Sequence, residues 1–317
     1  MTRRTRVYSI VGLVTLAAAG GVAATIMTAS RGNDSPPPRT GQRHPPLELD
    51  LGLRQDREAI ALRRAEGLYG HGRIQAAARV FSRYRSVEAQ VGSAMAEWPD
   101  ETLTRLGQLA AAHSGSSLVK LNLGIALFWA GQRQQAVSAW KAARRVSPDT
   151  LSAIRADDLL HPSYNRGRPT FVPSFEPPSW LSRLPGDRQL AALARAKSTQ
   201  MRLLYGVALQ RLGRPVSAER VYAAAAARAP DDAEAQVAAA VGRFDKDHPE
   251  RAFSRLGPLT RRFPRASTVR FHLGLLLLWL GEVKAGTRQL KLARATAPRS
   301  PLGREAAVFL QKLPIER

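Results

Sequence analysis

An internal repeat constrains this chain more than any other feature. Around Gly124 it reads LNLGIALFWAGQRQQAVSAWKAARRVSP, around Gly206 LLYGVALQRLGRPVSAERVYAAAAARAP, and around Gly274 FHLGLLLLWLGEVKAGTRQLKLARATAP. In each copy a glycine sits inside an apolar helical stretch. A second glycine (Gly131, Gly213, Gly281) breaks that stretch, and a second helix runs on to a proline (Pro148, Pro230, Pro298). The pattern predicts pairs of antiparallel helices. Small residues let two helices cross closely, and a large residue (Trp140, Tyr222, Leu290) fills the space beside the crossing. Proline ends the second helix because it cannot extend the hydrogen-bond ladder.

One such pair cannot bury its apolar face alone, so copies must stack. A further unit, Ala233 to Ala266, fits without a gap between those that begin at Thr199 and Ser267. Two looser units, Glu58 to about Ser86 and about Val87 to Ser116, precede the one that begins at Ser117. The first of these keeps Ala65, Gly72, Ala77 and Phe81. The halves also match each other. From Arg105 the segment RLGQL…LVKLNLGIALFWAG aligns with RLGPL…TVRFHLGLLLLWLG from Arg255, at a constant offset of 150 residues. A three-unit block has been duplicated. After it, Pro301 to Leu313 puts Leu302, Ala306, Phe309, Leu310 and Leu313 on one helical face, as a capping helix needs.

This spacing resembles the tetratricopeptide repeat (TPR) family, whose units of about 34 residues carry small, aromatic, alanine and proline positions in this order. In the unit from Ser117 those positions hold Gly124, Ala136, Trp140, Ala143 and Pro148; from Thr199, Gly206, Ala218, Tyr222, Ala225 and Pro230. From Ser267 they hold Gly274, Gly286, Leu290, Ala293 and Pro298. The resemblance implies an all-α fold, a right-handed superhelical solenoid of about six helix pairs. It also implies a non-enzymatic scaffold that binds a protein or peptide partner in a groove lined by the first helix of each pair. Carried over position by position, that groove comprises Leu121, Ile125, Phe128 and Trp129 in the third unit, beside Leu118. In the sixth it comprises Phe271, Leu275, Leu278 and Trp279, beside Thr268.

The register breaks at Leu151 to Ser198. Asp157 to Trp180 carries five prolines and four aromatics and forms no single regular element. Disordered linkers are poor in aromatics, so this insert is expected to dock. Two readings stand: Tyr164 to Trp180 lies across a groove as an internal ligand or lid, or its side chains close a seam between neighbouring helices.

At the N-terminus, Arg3, Arg4 and Arg6 precede Val7 to Thr28, a run of 22 residues without a charge. About 20 apolar residues span a bilayer as a helix, so residues 7–28 are read as a transmembrane helix or signal anchor. Cleavage after Ala17-Ala18-Ala19 or near Met27-Thr28-Ala29 is the alternative. The flanking arginines put the N-terminus in the cytoplasm and the repeats outside it. The expected order is thus residues 1–6 basic, 7–28 membrane, 29–50 a Pro-rich disordered linker and 51–150 the first half. Residues 151–198 follow as insert plus helix, then 199–300 as the second half and 301–317 as capping helix and tail.

Chemistry leaves little trace. There is no phosphate loop, His-Glu-x-x-His pair or Gly-x-Ser-x-Gly turn, and no cysteine. Asp157, Asp158 and His161 form the one tight cluster of ligand types, read as a helix end leading into a loop. No enzyme, metal or cofactor is expected. The net charge of +23, with 41 Arg and 7 Lys, offers an alternative partner in an anionic polymer or lipid surface. Its strongest patch is in the second half, at Arg261, Arg262, Arg270 and Lys291. No aromatic interleaving accompanies it, which argues against nucleic acid.

Overall fold

The computed structural model of the chain describes residues 44–313. Among these the fold is all-α, with sixteen helices. The chain divides into two compact units between Leu160 and His161. The expected membrane segment, residues 7–28, lies outside the described residues, as do residues 29–43 of the linker. Among the described residues no helix is long and apolar enough to cross a membrane.

In the first unit the pairs are α1 (Arg57–Gly70) with α2 (Ile74–Phe81), α3 (Val87–Met95) with α4 (Thr102–Ala112), and α5 (Ser117–Trp129) with α6 (Arg133–Val146). Helix α7 (Leu151–Leu160) then packs on α5 and α6. The second unit opens with α8 (Ser179–Ser182) and α9 (Gly186–Arg195). It continues as α10 (Thr199–Arg211) with α11 (Pro215–Arg228), α12 (Ala233–Gly242) with α13 (Glu250–Arg262), and α14 (Ser267–Trp279) with α15 (Val283–Thr296). Helix α16 (Pro301–Lys312) packs on α14 and α15.

Local chemistry sets these boundaries. Asp56, Ser86, Ser116, Asp232 and Ser300 cap five helices, each side chain accepting from a backbone N–H of the first turn that the helix itself leaves unpaired. The turn glycines Gly131, Gly213 and Gly281 adopt φ of 81°, 68° and 78°, where a side chain would be strained. Within the pairs, Gly124 lies against the Trp140 indole, Gly206 against the Tyr222 ring and Gly274 against Leu290. A Cβ at Gly124 or Gly206 would overlap the ring. The small and large positions of the repeat therefore meet where the spacing places them.

Two assignments differ from those expected. Residues 151–160, assigned to the insert, are helix α7, which occupies in the first unit the place that α16 holds in the second; Ala156 and Ala306, 150 residues apart, are both fully buried. What looked like an insert is a cap followed by the start of the second unit. Residues 44–50, assigned to a disordered linker, are docked. Pro45, Leu47, Leu49 and Leu51 are buried, while Pro46, Glu48 and Asp50 are only partly so. That alternation is what an extended segment gives when one face lies on an apolar surface. Prolines fixed it extended, and the leucines gave it somewhere to lie.

Candidate peptide-binding grooves

Each unit holds an extended strap of its own chain across the first helices of its pairs. In the first unit the strap runs from Pro45 to Leu51. The Asn122 side chain on α5 grips its centre twice: Oδ1 accepts from the Glu48 N–H at 3.1 Å, and Nδ2 donates to the Glu48 carbonyl at 2.8 Å. On α1, Glu66 Oε1 accepts from the Leu49 N–H at 2.9 Å, and the Tyr69 hydroxyl donates to the Pro45 carbonyl at 2.8 Å. Burial of Leu47, Leu49 and Leu51 adds about 1.5–3 kcal/mol per side chain.

In the second unit the strap runs from Arg168 to Glu176. His272 on α14 donates from Nδ1 to the Thr268 carbonyl at 2.8 Å, which leaves the Nε2 lone pair to accept from the Val172 N–H at 2.9 Å. Gln210 Oε1 on α10 accepts from the Phe171 N–H at 3.2 Å, and Glu234 Oε2 on α12 from the Ser174 N–H at 3.2 Å. Arg168 reaches the Phe244 carbonyl. The Phe171 ring stacks on His272 at 5.2 Å and meets Tyr222 edge-on at 5.6 Å. Phe171 and Val172 are buried, Phe175 is partly buried, and Trp180 remains exposed. The Tyr164–Trp180 segment thus follows the internal-ligand reading in its central residues.

The two straps are unrelated in sequence, and each precedes the first helix pair of its unit. Main-chain groups are what the groove side chains recognise. Burial sets the electrostatics. It pushes Glu66 up to about 8 and Glu234 up to about 7, against the hydrogen bonds from the strap that favour their charged forms. It pushes His272 down to about 4, consistent with a neutral ring that accepts from Val172.

Of the groove residues that the TPR resemblance implies, Leu121 and Ile125 are buried, Trp129 is partly buried and Phe128 is exposed, tilted against Trp140 at 5.8 Å. Phe271, Leu275, Leu278 and Trp279 are all buried. Phe271 packs on Phe309, and Trp279 on Phe244. Reading the spacing missed the polar clamp of Tyr69, Asn122, Gln210 and His272. The basic residues are dispersed in their contacts: Arg262 pairs with Asp231 at 2.9 Å, Arg270 donates to Gln289, and Arg261 and Lys291 are exposed. Asp157, from the candidate ligand cluster, accepts from Arg144, and His161 pairs with Asp247. No metal-binding group of three such side chains occurs among the described residues.

Neither a family model nor a curated protein matches the chain. Among solved structures, the TPR2AB-domain:pHSP90-complex of yeast Sti1 is 12% identical, covering 81% of this chain and 98% of that one at a TM-score of 0.32. Yeast Tom70 is 12% identical, covering 80% of this chain and 53% of that one at a TM-score of 0.32. At that similarity neither carries weight for partner or mechanism. The helix-pair fold stands on this chain's own contacts.

Proposed function

We propose that this chain is a membrane-tethered scaffold that binds a protein partner through an extended segment, using grooves that its own straps hold closed. One observation carries the reading: both units clamp an extended segment by main-chain hydrogen bonds from the first helices of their pairs. A site that recognises backbone accepts any segment able to extend and to place apolar side chains in the floor. The apolar run of residues 7–28 supplies the tether, with the repeats outside the cytoplasm.

The test uses the full chain in neutral-lipid nanodiscs. Phe171→Asp with Val172→Asp should release the second strap, and a synthetic peptide of residues 168–176 should then bind at micromolar concentration. The wild-type chain, already occupied, should bind it at least tenfold more weakly. A released variant that keeps its helical circular dichroism and still ignores the peptide would refute a groove that takes partners in trans.

A further inference from the structure

Arg144 and Arg294 occupy the same position of the duplicated block, 150 residues apart, and differ in the partner available to each. In the first unit Arg144 donates from Nη1 to Asp157 Oδ1 at 2.8 Å, and Asp157, on the capping helix α7, is 2% exposed. In the second unit the residue equivalent to Asp157 is Ala307, on the capping helix α16. The arginine has been kept and its carboxylate lost. Among the described residues no carboxylate forms an ion pair with Arg294 or with Lys291 one turn before it.

An open cleft of about 760 Å³ lies at that position. Lys291 and Arg294 stand on one side, and Pro298, Ala307, Gln311 and the edges of the largely buried Leu310 and Leu313 line the rest. Helix α15 contains neither Asp nor Glu, and its exposed Lys284 and Arg288 continue the cationic stripe away from the cleft. Leu292, beside Lys291, is 42% exposed. Cations next to a partly apolar cleft suit a ligand that joins an anion to a hydrocarbon.

We infer that the cleft between α15 and α16 binds the headgroup of an anionic phospholipid at a bilayer surface. The phosphate takes the place that the Asp157 carboxylate holds in the first unit. Lys291 and Arg294 donate to its oxygens, and the glycerol and upper acyl carbons lie against Pro298, Leu310 and Leu313. Planar guanidinium and phosphate oxygens match in pairs, so arginine is suited to the role. Lys284 and Arg288 add attraction to other headgroups, of a kind screened by salt.

The absence of native cysteine makes the test clean. The full chain carrying Leu292→Cys, labelled with an environment-sensitive fluorophore, is placed with nanodiscs of phosphatidylcholine alone or with a third phosphatidylglycerol. Association with the neutral discs reports the tether separately. The expected result is a blue shift only in the phosphatidylglycerol discs. Ala307→Asp, which restores the carboxylate of the first unit, should abolish the shift with no loss of thermal stability, and Arg294→Gln should do the same. A shift that persists in Ala307→Asp overturns the proposal. So does an equal shift on adding inorganic phosphate or a soluble polyanion to the neutral discs, which would assign the cleft to a free anion.

Discussion

Asn122 and His272 stand 150 residues apart, at the same position of the third helix pair in their respective units, and each hydrogen-bonds the main chain of a strap at its centre. The chemistry differs while the task is kept. Asn122 both donates and accepts, holding one residue of the strap as a neighbouring strand would. His272 only accepts, because its other nitrogen is committed to Thr268. Gln210 and Tyr69 show the same freedom: the first accepts from a strap N–H, the second donates to a strap carbonyl. The duplicated block has kept the strap and varied the means of holding it.

Replacing Asn122 with alanine removes both bonds to Glu48 and leaves two partly buried main-chain groups without those partners. A net loss of about 1 kcal/mol per bond corresponds to roughly tenfold or more in local opening. Hydrogen exchange at the Glu48 and Leu49 amides should accelerate by that factor, while amides of α10 to α15 in the second unit stay as they were. Unchanged protection would mean that Leu47, Leu49 and Leu51 hold the strap without the clamp.

His272 makes the second strap sensitive to acid. Its folded value of about 4 lies below the ordinary 6.5, so between these values the unfolded or strap-released state binds the extra proton. The stability contributed by the neutral ring is complete above pH 6.5 and is lost as pH falls toward 4. Protonation also turns Nε2 into a donor facing the Val172 N–H. Glu234 acts oppositely, its raised value favouring the folded state toward acid, with its stabilisation waning from 4.5 up to about 7. His272→Gln keeps an acceptor and cannot titrate. Exchange at the Val172 amide, measured from pH 6.5 to 4, should accelerate more in the wild type than in this variant, and equal pH profiles would exclude His272 as the cause.

The helix pairs were legible because their signals are local. A positive-φ glycine at the turn and a terminal proline act where they stand, and the small glycine meets its large partner within one helix pair, as Gly124 meets Trp140. The second strap was one of two readings of the insert, but the first was not legible, although Leu47-Glu48-Leu49-Asp50-Leu51 alternates with the period of an extended segment. Nothing local says what an extended segment lies on, and Asn122 is 74 residues beyond Glu48. Burial of the groove follows the same rule. Phe128 and Leu278 share a position, yet the first is 48% exposed and the second fully buried. The end of helix α7 was legible at Asp157 to His161, but its place as a cap was not, because Asp157 is buried by pairing with Arg144 on another helix.

Glu66 gives the first strap the opposite pH dependence. Burial raises it to about 8, reinforced by the charge of Glu48 and opposed by Arg63, Arg155 and the hydrogen bond from Leu49. A carboxyl whose folded value is raised stabilises least when ionised, so stability should fall as pH rises from about 4.5 to 8. Glu66→Gln retains an oxygen to accept from Leu49 and removes the titration. The difference in urea midpoint between variant and wild type should widen across this window in favour of the variant, by an amount worth a few kcal/mol at the alkaline end. A constant difference would show that Glu66 ionises freely.

Gly206 connects the repeat pattern to the strap. A methyl group there would overlap the Tyr222 ring, whose hydroxyl donates to Gln210 Oε1 at 2.9 Å; that same oxygen accepts from the Phe171 N–H. Gly206→Ala should therefore push the ring and loosen the second strap together, costing about 1–3 kcal/mol as overpacking usually does. In the last pair Leu290 takes the place of the aromatic residue against Gly274, which shows that a leucine can fill this position. Tyr222→Leu alone should destabilise by loss of ring contacts and of the hydroxyl. Combined with Gly206→Ala it should cost less than the two single changes added, by about 0.5–3 kcal/mol, because the added methyl then occupies space the ring has vacated. Denaturant melts of the four proteins close this cycle, with Val172 amide exchange read in parallel. Strict additivity in both would separate the helix crossing from the strap it supports.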